Sequence, residues 1–233
     1  MPPTEPTDGE LVMKIGVIGA GNIGSNAGRL FAQAGHDVLL SYTRDPATLA
    51  ARAAEIGAQA GSPADAAAFG EVVMLSVPWR LVEAVAAEAG SLAGRIVIDT
   101  TNAFGGVPPA GRSAAETNAG RLAGARLVKS FNTLTAGFQA EAAARPAEQR
   151  VAMFLAGEDE QAKQIVSGLI REIGFEPVDV GGWAQVSIME SPRRPGSVYG
   201  EEYRPEAAHR IAAAVRDDPA TAAELAIALK ESG

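Results

Sequence analysis

The amino-acid sequence predicts an α/β protein built on a doubly wound parallel sheet. Short apolar runs rich in β-branched residues recur along the chain, and helical stretches separate them. Strands buried on both faces have this continuous apolar character, and alternation of such strands with helices is typical of the doubly wound class. The predicted strands, all expected to run parallel, are residues 13–18, 37–42, 72–77, 95–99, 126–130 and 151–155.

The helices between these strands begin and end at recognisable residues. Asp45 and Ser62 each stand directly before a proline. A polar N-cap followed by proline is a helix start, because the missing N–H of proline is not needed in the first turn. Gly174 is expected to end a helix over residues 159–173, since glycine readily adopts the left-handed conformation found there.

The chain is predicted to have three parts. Residues 1–12 hold three prolines and three acidic residues and are expected to form a flexible tail, with none of the features of a signal peptide. Residues 13–190 are expected to form the main domain. Residues 191–233 are predicted to be a loop over 191–205 and two helices near 206–216 and 219–231. Their apolar side (Ile211, Val215, Leu225, Ile227 and Leu229) is expected to pack on the chain's own body rather than on a second copy.

Composition excludes several classes of function. There is no cysteine, and the two histidines, His36 and His209, lie in no supporting motif, so we expect no metal site. The net charge of −8 disfavours nucleic acid and anionic membrane as partners. No apolar run is long enough to cross a bilayer. A cytoplasmic protein acting on a small molecule is therefore expected.

A glycine loop predicts dinucleotide binding. Residues 14–18 form a predicted buried strand that leads into the pattern G-x-G-x-x-G over residues 19–24, and a helix follows. Gly19 allows a tight turn, Gly21 lets the backbone approach a diphosphate, and Gly24 lets the helix close on the strand. In this strand–helix context the pattern indicates a Rossmann-type nucleotide site. The alternative is a tight turn without a ligand.

The end of the second strand favours NADP over NAD. An NAD site usually has an acidic residue about twenty positions after the loop to bind the ribose hydroxyls. This sequence has Thr43 and Arg44 there, and Asp45 is better explained as a helix cap. A hydroxyl beside a guanidinium suits a 2′-phosphate. The alternative is an arginine that is simply solvated on a turn.

Six motifs together resemble the family of NADPH-dependent reductases of coenzyme F420, an 8-hydroxy-5-deazaflavin, which also includes the cytoplasmic domain of eukaryotic metalloreductases. The resemblance covers about residues 13–190, and the motifs lie at residues 19–24, 41–46, 77–79, 99–102, 128–133 and 173–181. It implies that the glycine loop binds diphosphate, that Thr43 and Arg44 bind the 2′-phosphate, and that Val77 and Pro78 lie along the nicotinamide ribose. The implied cofactor-binding residues are Gly19, Gly21, Asn22, Ile23, Gly24, Thr43, Arg44, Val77, Pro78, Asn102 and Asn132.

Plainer interpretations stay open for several residues at the strand ends. Asp99, Thr100 and Asn102 could cap loop backbone instead of contacting a ligand. Trp79 is more often a packed aromatic than a cofactor wall. Lys129, in an apolar strand, is expected to be an ion-pair partner rather than a Schiff-base lysine.

The sequence departs from the family pattern in two places. Thr48 stands where the family often has a second phosphate-binding lysine, and the segment after residue 190 differs from the apolar segment with which F420 reductases cover the deazaflavin. These departures leave three functions open. The leading one is an NADP-dependent oxidoreductase with F420 as its first candidate substrate.

The second is an NADPH-dependent reductase of another flavin, an imine or a carbonyl compound. No catalytic residue is assigned, and Tyr199 and Tyr203 are weak candidates for the proton donor that such a reaction needs. The 43 residues after Glu190 are fewer than the helical domain of known imine and hydroxyacid enzymes, so a homodimer would have to complete that site. The third is a module that senses NADP(H) without turning it over.

Overall fold

The computed structural model describes residues 12–41 and 45–231. Within these ranges the chain forms one eight-stranded sheet with the strand order β3-β2-β1-β4-β5-β6-β7-β8. The strands are β1 (Lys14–Ile18), β2 (Asp37–Ser41), β3 (Gln59–Gly61), β4 (Val72–Leu75), β5 (Ile96–Asp99), β6 (Arg126–Ser130), β7 (Ala152–Ala156) and β8 (Glu176–Asp179). The predicted α/β class is confirmed.

Helices cover both faces of this sheet. They are α1 (Asn22–Gln33), α2 (Pro46–Ile56), α3 (Pro63–Phe69), α4 (Val82–Ala89), α5 (Ala114–Arg121), α6 (Ala136–Ala142), α7 (Glu160–Glu172), α8 (Pro205–Asp217) and α9 (Pro219–Glu231). The predicted caps are confirmed: the side chain of Asp45 accepts from the amides of Ala47 and Thr48, Ser62 forms a capping box, and Gly174 follows α7 with a φ of 95°. No described helix has the length and apolar character that a membrane span requires.

The prediction that all six strands run parallel is wrong for β7. It pairs antiparallel with β6, with Lys129 opposite Ala156 and Ser130 opposite Leu155, and it pairs parallel with β8. Every residue of β7 is buried. A continuous apolar run indicates that both faces of a strand are covered, but it carries no information on the direction of the strand.

Two strands escaped prediction because they lack the apolar pattern. β3 is only three residues long and largely exposed. β8 lies at the other edge of the sheet and contains Pro177, which is tolerated in edge strands because no neighbour there needs its missing N–H.

The C-terminal segment packs on the sheet beside β7 and β8. Ile211 and Val215 of α8 are buried in the same apolar cluster as Phe154 of β7. Ile227 does not pack as predicted, since it is 41% exposed. Ala222 and Ala226 of α9 lie one turn apart on the packed side, and Ile227 projects about 100° further round the helix. The predicted tail lies outside the described residues, apart from the exposed Val12, and the domain boundary at residue 190 stays a prediction.

The strand order places a crevice at the centre of the sheet. From β1 the chain adds β2 and then β3 toward one edge of the sheet. It then crosses to β4, which pairs with the other side of β1. The loops that follow β1 and β4 therefore separate, and ligands of doubly wound proteins bind in such a crevice beyond the carboxyl ends of the strands.

Candidate active site

The glycine loop between β1 and α1 closes tightly on the sheet. Gly19 has a φ of 115°, in the left-handed region that favours glycine. The amides of Gly19 and Ala20 donate to the carbonyl oxygen of Ser41 at 3.0 and 3.1 Å, which fixes the turn against the end of β2. A Cβ on Gly24 would stand 1.9 Å from the carbonyl oxygen of Gly19, so α1 approaches the loop too closely for any side chain there.

The beginning of α1 fits the diphosphate of a dinucleotide. Its N-cap is Gly21, no side chain caps the first amides, and the first turn contains no acidic residue. A Cβ on Gly21 would meet nothing within 4 Å, so the backbone here faces open space. Uncapped amides and the positive end of the helix dipole favour an anion at this position.

One cavity of about 770 Å³ connects this loop with the other predicted site residues. Its size lies within the range of small-molecule and cofactor sites. The lining residues are 21–23, 76–79, 100–102, 104, 131–137 and 199–200. Asn22, Ile23, Val77, Pro78, Asn102 and Asn132, all predicted from the resemblance, are thus brought together. None of the described lining residues carries a charged side chain.

Two asparagines join the strand ends on the cavity wall. The Nδ2 of Asn102 donates to the carbonyl oxygen of Asn132 at 3.0 Å, and the Nδ2 of Asn132 donates to the Oδ1 of Asn102 at 3.2 Å. Asn132 also donates to the carbonyl oxygen of Met189 at 2.6 Å. The Oδ1 of Asn132 is buried without a hydrogen-bond partner among the described residues. The pair therefore ties the loops after β5 and β6 to the segment before residue 190.

A buried ion pair lies directly beneath this wall. The Nζ of Lys129 lies 3.1 Å from the Oδ2 of Asp99, both side chains have no exposed surface, and the ammonium also donates to the carbonyl oxygen of Thr101. The Oδ1 of Asp99 accepts from the amide of Thr101 at 2.9 Å, and its Oδ2 accepts from Asn118 at 3.0 Å. The prediction of Lys129 as an ion-pair partner is confirmed, and Asp99 caps loop backbone.

The backbone is strained directly after β6, where the chain reaches the cavity. Phe131 has a φ of 61°, an uncommon conformation for a bulky residue, and its side chain is buried. Gln139 donates from Nε2 to the carbonyl oxygens of Phe131 and Leu134, which holds this turn. Asn132 follows the strained residue directly, so the turn directs the asparagine to the cavity.

The two candidate tyrosines lie in different places. Tyr199 lines the cavity, and its burial raises the pKa of the phenol. Tyr203 does not line this cavity; its hydroxyl donates to the carbonyl oxygen of Ala226 at 3.1 Å, and its ring packs edge-to-face on Phe154. Burial is the main cause that raises the pKa of Tyr203 to about 12. The structure thus brings Tyr199 to the site and Tyr203 to the packing of α9.

Trp79 lines the cavity as a packed aromatic. Its side chain is buried, and the guanidinium of Arg121 lies 4.0 Å from the centre of a Trp79 ring. This contact fixes the indole from the side of α5, so Trp79 forms a rigid wall next to Pro78.

Thr43 and Arg44, the predicted 2′-phosphate ligands, lie outside the described residues. A second arginine near that end of the sheet was missed by sequence reasoning: Arg52 of α2 donates from its guanidinium to the carbonyl oxygen of Ala20 in the glycine loop. Arg52 lies four residues, or one helical turn, after Thr48, where the family often has a lysine. The spacing of one helical turn between Thr48 and Arg52 is the sequence signal that could have predicted Arg52.

The strand order and the glycine loop opening on the central crevice define a Rossmann-type dinucleotide-binding protein. Residues 14–103 match the family described as coenzyme F420-dependent NADP oxidoreductase. The chain is similar to a proposed F420-dependent NADP reductase from Arthrobacter sp. FB24, with 29% identity and a TM-score of 0.62 over 75% of this chain and 87% of that one. These matches show that the chain is similar to F420-dependent NADP oxidoreductases.

Two further proteins are similar to this chain. Hypothetical protein SMa0349 from Sinorhizobium meliloti has a TM-score of 0.73 and 29% identity, and the match covers 82% of this chain and 95% of that protein. Metalloreductase STEAP3 from Rattus norvegicus is 27% identical over 179 residues, which are 76% of this chain and 36% of the metalloreductase. The chain thus spans about a third of the length of that curated relative.

Proposed function

We propose that this protein transfers a hydride between NADP(H) and a second redox substrate, with coenzyme F420 as the first candidate. The observation that carries the proposal is the shared cavity: the anion-binding start of α1 and the asparagines at the ends of β5 and β6 line the same 770 Å³ space. A dinucleotide held at the loop would therefore extend its nicotinamide into room for a second ring.

The chain's own residues have positioning roles in this reaction. The amides at the start of α1 bind the diphosphate, Val77 and Pro78 support the nicotinamide ribose, and Asn102 and Asn132 present polar groups to the cavity. Bound NADPH supplies the hydride. Transfer between two stacked rings needs close contact and little acid–base help, which suits a cavity without a charged side chain among its described lining residues.

Stopped-flow absorbance tests the proposal. NADPH would be mixed with the protein and then with F420, FMN, riboflavin, a cyclic imine or an aldehyde, and its decay would be followed. We expect fast oxidation with F420 and slower oxidation, or none, with the imine and aldehyde. Bound NADPH that decays with no member of the panel would contradict the proposal and favour the sensing function.

A second candidate function is supported by one observation, the position of Tyr199. Its phenol lines the cavity and is protonated at neutral pH, so it can donate a proton to a reduced carbonyl or imine. If this second function is correct, the Tyr199→Phe variant should lose most of its turnover of carbonyl or imine substrates and keep its NADPH binding.

The preference for NADP over NAD is predicted to depend on Arg44. Arg44→Ala should weaken NADPH binding about 10- to 100-fold and leave NADH binding nearly unchanged, because a charge-assisted contact with the 2′-phosphate is worth about 1.5–3 kcal/mol. Calorimetric titration with both nucleotides measures the two dissociation constants.

Arg52→Ala is the matched control for Arg44→Ala. The guanidinium of Arg52 contacts the glycine loop, and both nucleotides carry the diphosphate that this loop binds. We therefore expect Arg52→Ala to weaken NADPH and NADH to a similar degree. If Arg44→Ala also weakened both alike, the 2′-phosphate assignment would be wrong.

A further inference from the structure

Two aromatic side chains lie close together on the surface of the cavity. Phe104 comes from the loop after β5, and Tyr199 comes from the segment between residue 190 and α8. Both line the cavity, and their ring centres are 6.4 Å apart at an interplanar angle of 58°. Phe104 is 61% exposed, which is unusual for a phenylalanine and leaves its ring available to a ligand.

Both rings are carried on anchored backbone. On either side of Tyr199, the amide of Val198 donates to the carbonyl oxygen of Ile188 at 2.9 Å and the amide of Gly200 donates to that of Thr133 at 2.8 Å. The amide of Phe104 donates to the carbonyl oxygen of Asn102 at 2.7 Å. The backbone that carries the two rings is therefore held close to the asparagine pair.

The chemistry of the cavity limits what can lie against these rings. A substrate held by its carboxylate or phosphate next to the reacting atom needs a cation, and the described lining residues include no lysine, arginine or histidine. Aromatic side chains bind flat conjugated rings by stacking, largely independent of the polar substituents on those rings.

We propose that Phe104 and Tyr199 form the wall that receives the planar conjugated ring of the hydride acceptor, and that Tyr199 acts through its ring rather than its hydroxyl. The inference rests on the proposed function and narrows its second substrate to flavin-like and deazaflavin-like rings. A hydride, which is one proton with two electrons, passes from the reduced nicotinamide to the acceptor ring. Water supplies the further proton that the reduced ring takes up, and NADPH leaves as NADP⁺.

Four variants test the wall. Phe104→Ala and Tyr199→Ala should each raise the acceptor KM about 10-fold, the loss of one stacking contact. Tyr199→Phe should stay within about 2-fold of the wild type, because it keeps the ring. Val107→Ala is the matched control: Val107 is 88% exposed on the same loop and does not line the cavity. The NADPH dissociation constant of every variant should equal that of the wild type.

A binding measurement separates this inference from the proposed function. Riboflavin would be titrated into NADP⁺-saturated protein and the quenching of its fluorescence followed, which needs no turnover. Binding that weakens about 10-fold in both alanine variants supports the wall even if no acceptor is reduced. The wall is wrong if riboflavin binds Phe104→Ala as tightly as the wild type, or if Tyr199→Phe loses as much turnover as Tyr199→Ala.

Discussion

Lys129→Met is expected to lower the free energy of unfolding by about 3–5 kcal/mol, because it leaves the carboxylate of Asp99 charged and buried without its cation. Methionine matches the length of the lysine stem and avoids a large void, so the loss reports the missing charge. Equilibrium unfolding in urea, followed by circular dichroism, measures the change.

Two companion variants isolate the charge effect. Lys129→Met combined with Asp99→Asn removes both charges and should recover about 1–3 kcal/mol of the loss. Lys230→Met removes a half-exposed lysine that lies 2.9 Å from Glu201, a carboxylate that keeps Arg193 as its second partner, and should cost less than about 1 kcal/mol. Equal stabilities for Lys129→Met and Lys230→Met would show that the buried ion pair contributes no more to the free energy of unfolding than the pair of Lys230 with Glu201.

The ion pair of Lys129 with Asp99 also supports the candidate active site. Lys129 and Asp99 hold the backbone of Thr101, and Asn102 of the cavity wall follows it directly. We therefore expect Lys129→Met, studied well below its unfolding midpoint, to weaken NADPH binding as well, since Asn102 loses the support of its loop.

The features that sequence reasoning predicted are those encoded by neighbouring residues. Helix caps such as Asp45 and Ser62 need only two or three adjacent residues, and the glycine loop is one hexapeptide in a strand–helix context. Lys129 was predicted as an ion-pair partner because a lysine in an apolar strand cannot stay buried alone.

The features that escaped prediction depend on residues far apart in the chain. The partner contacts of Asn132 include the carbonyl oxygen of Met189, 57 positions away. Glu190, at the predicted domain boundary, accepts from the amides of Ala114 and Ala115 at 3.0 and 2.8 Å and so caps α5. No local pattern indicates such pairs, nor that Tyr199 lies in the cavity while Tyr203 packs under α9.

Gly24→Ala is expected to weaken NADPH binding by about 100-fold or more. A methyl group at this position would stand 1.9 Å from the carbonyl oxygen of Gly19, a backbone atom that must move to make room. The displaced loop would lose one or two charge-assisted hydrogen bonds to the diphosphate, each worth about 1.5–3 kcal/mol. Calorimetry measures the binding, and urea unfolding should show a loss of about 1–3 kcal/mol from overpacking.

Gly21→Ala separates the shape of the loop from its access to the ligand. A methyl group there meets no protein atom within 4 Å, so the variant should keep the stability of the wild type. The same methyl group enters the space where the diphosphate would approach, so NADPH binding should weaken about 10-fold. Gly168→Ala, equally free of contacts within α7, is the control and should leave binding unchanged. Unchanged binding in both Gly24→Ala and Gly21→Ala would mean that the diphosphate lies elsewhere. Weakened binding in Gly21→Ala at full stability would locate the anion at the start of α1, because only a ligand could meet that methyl group.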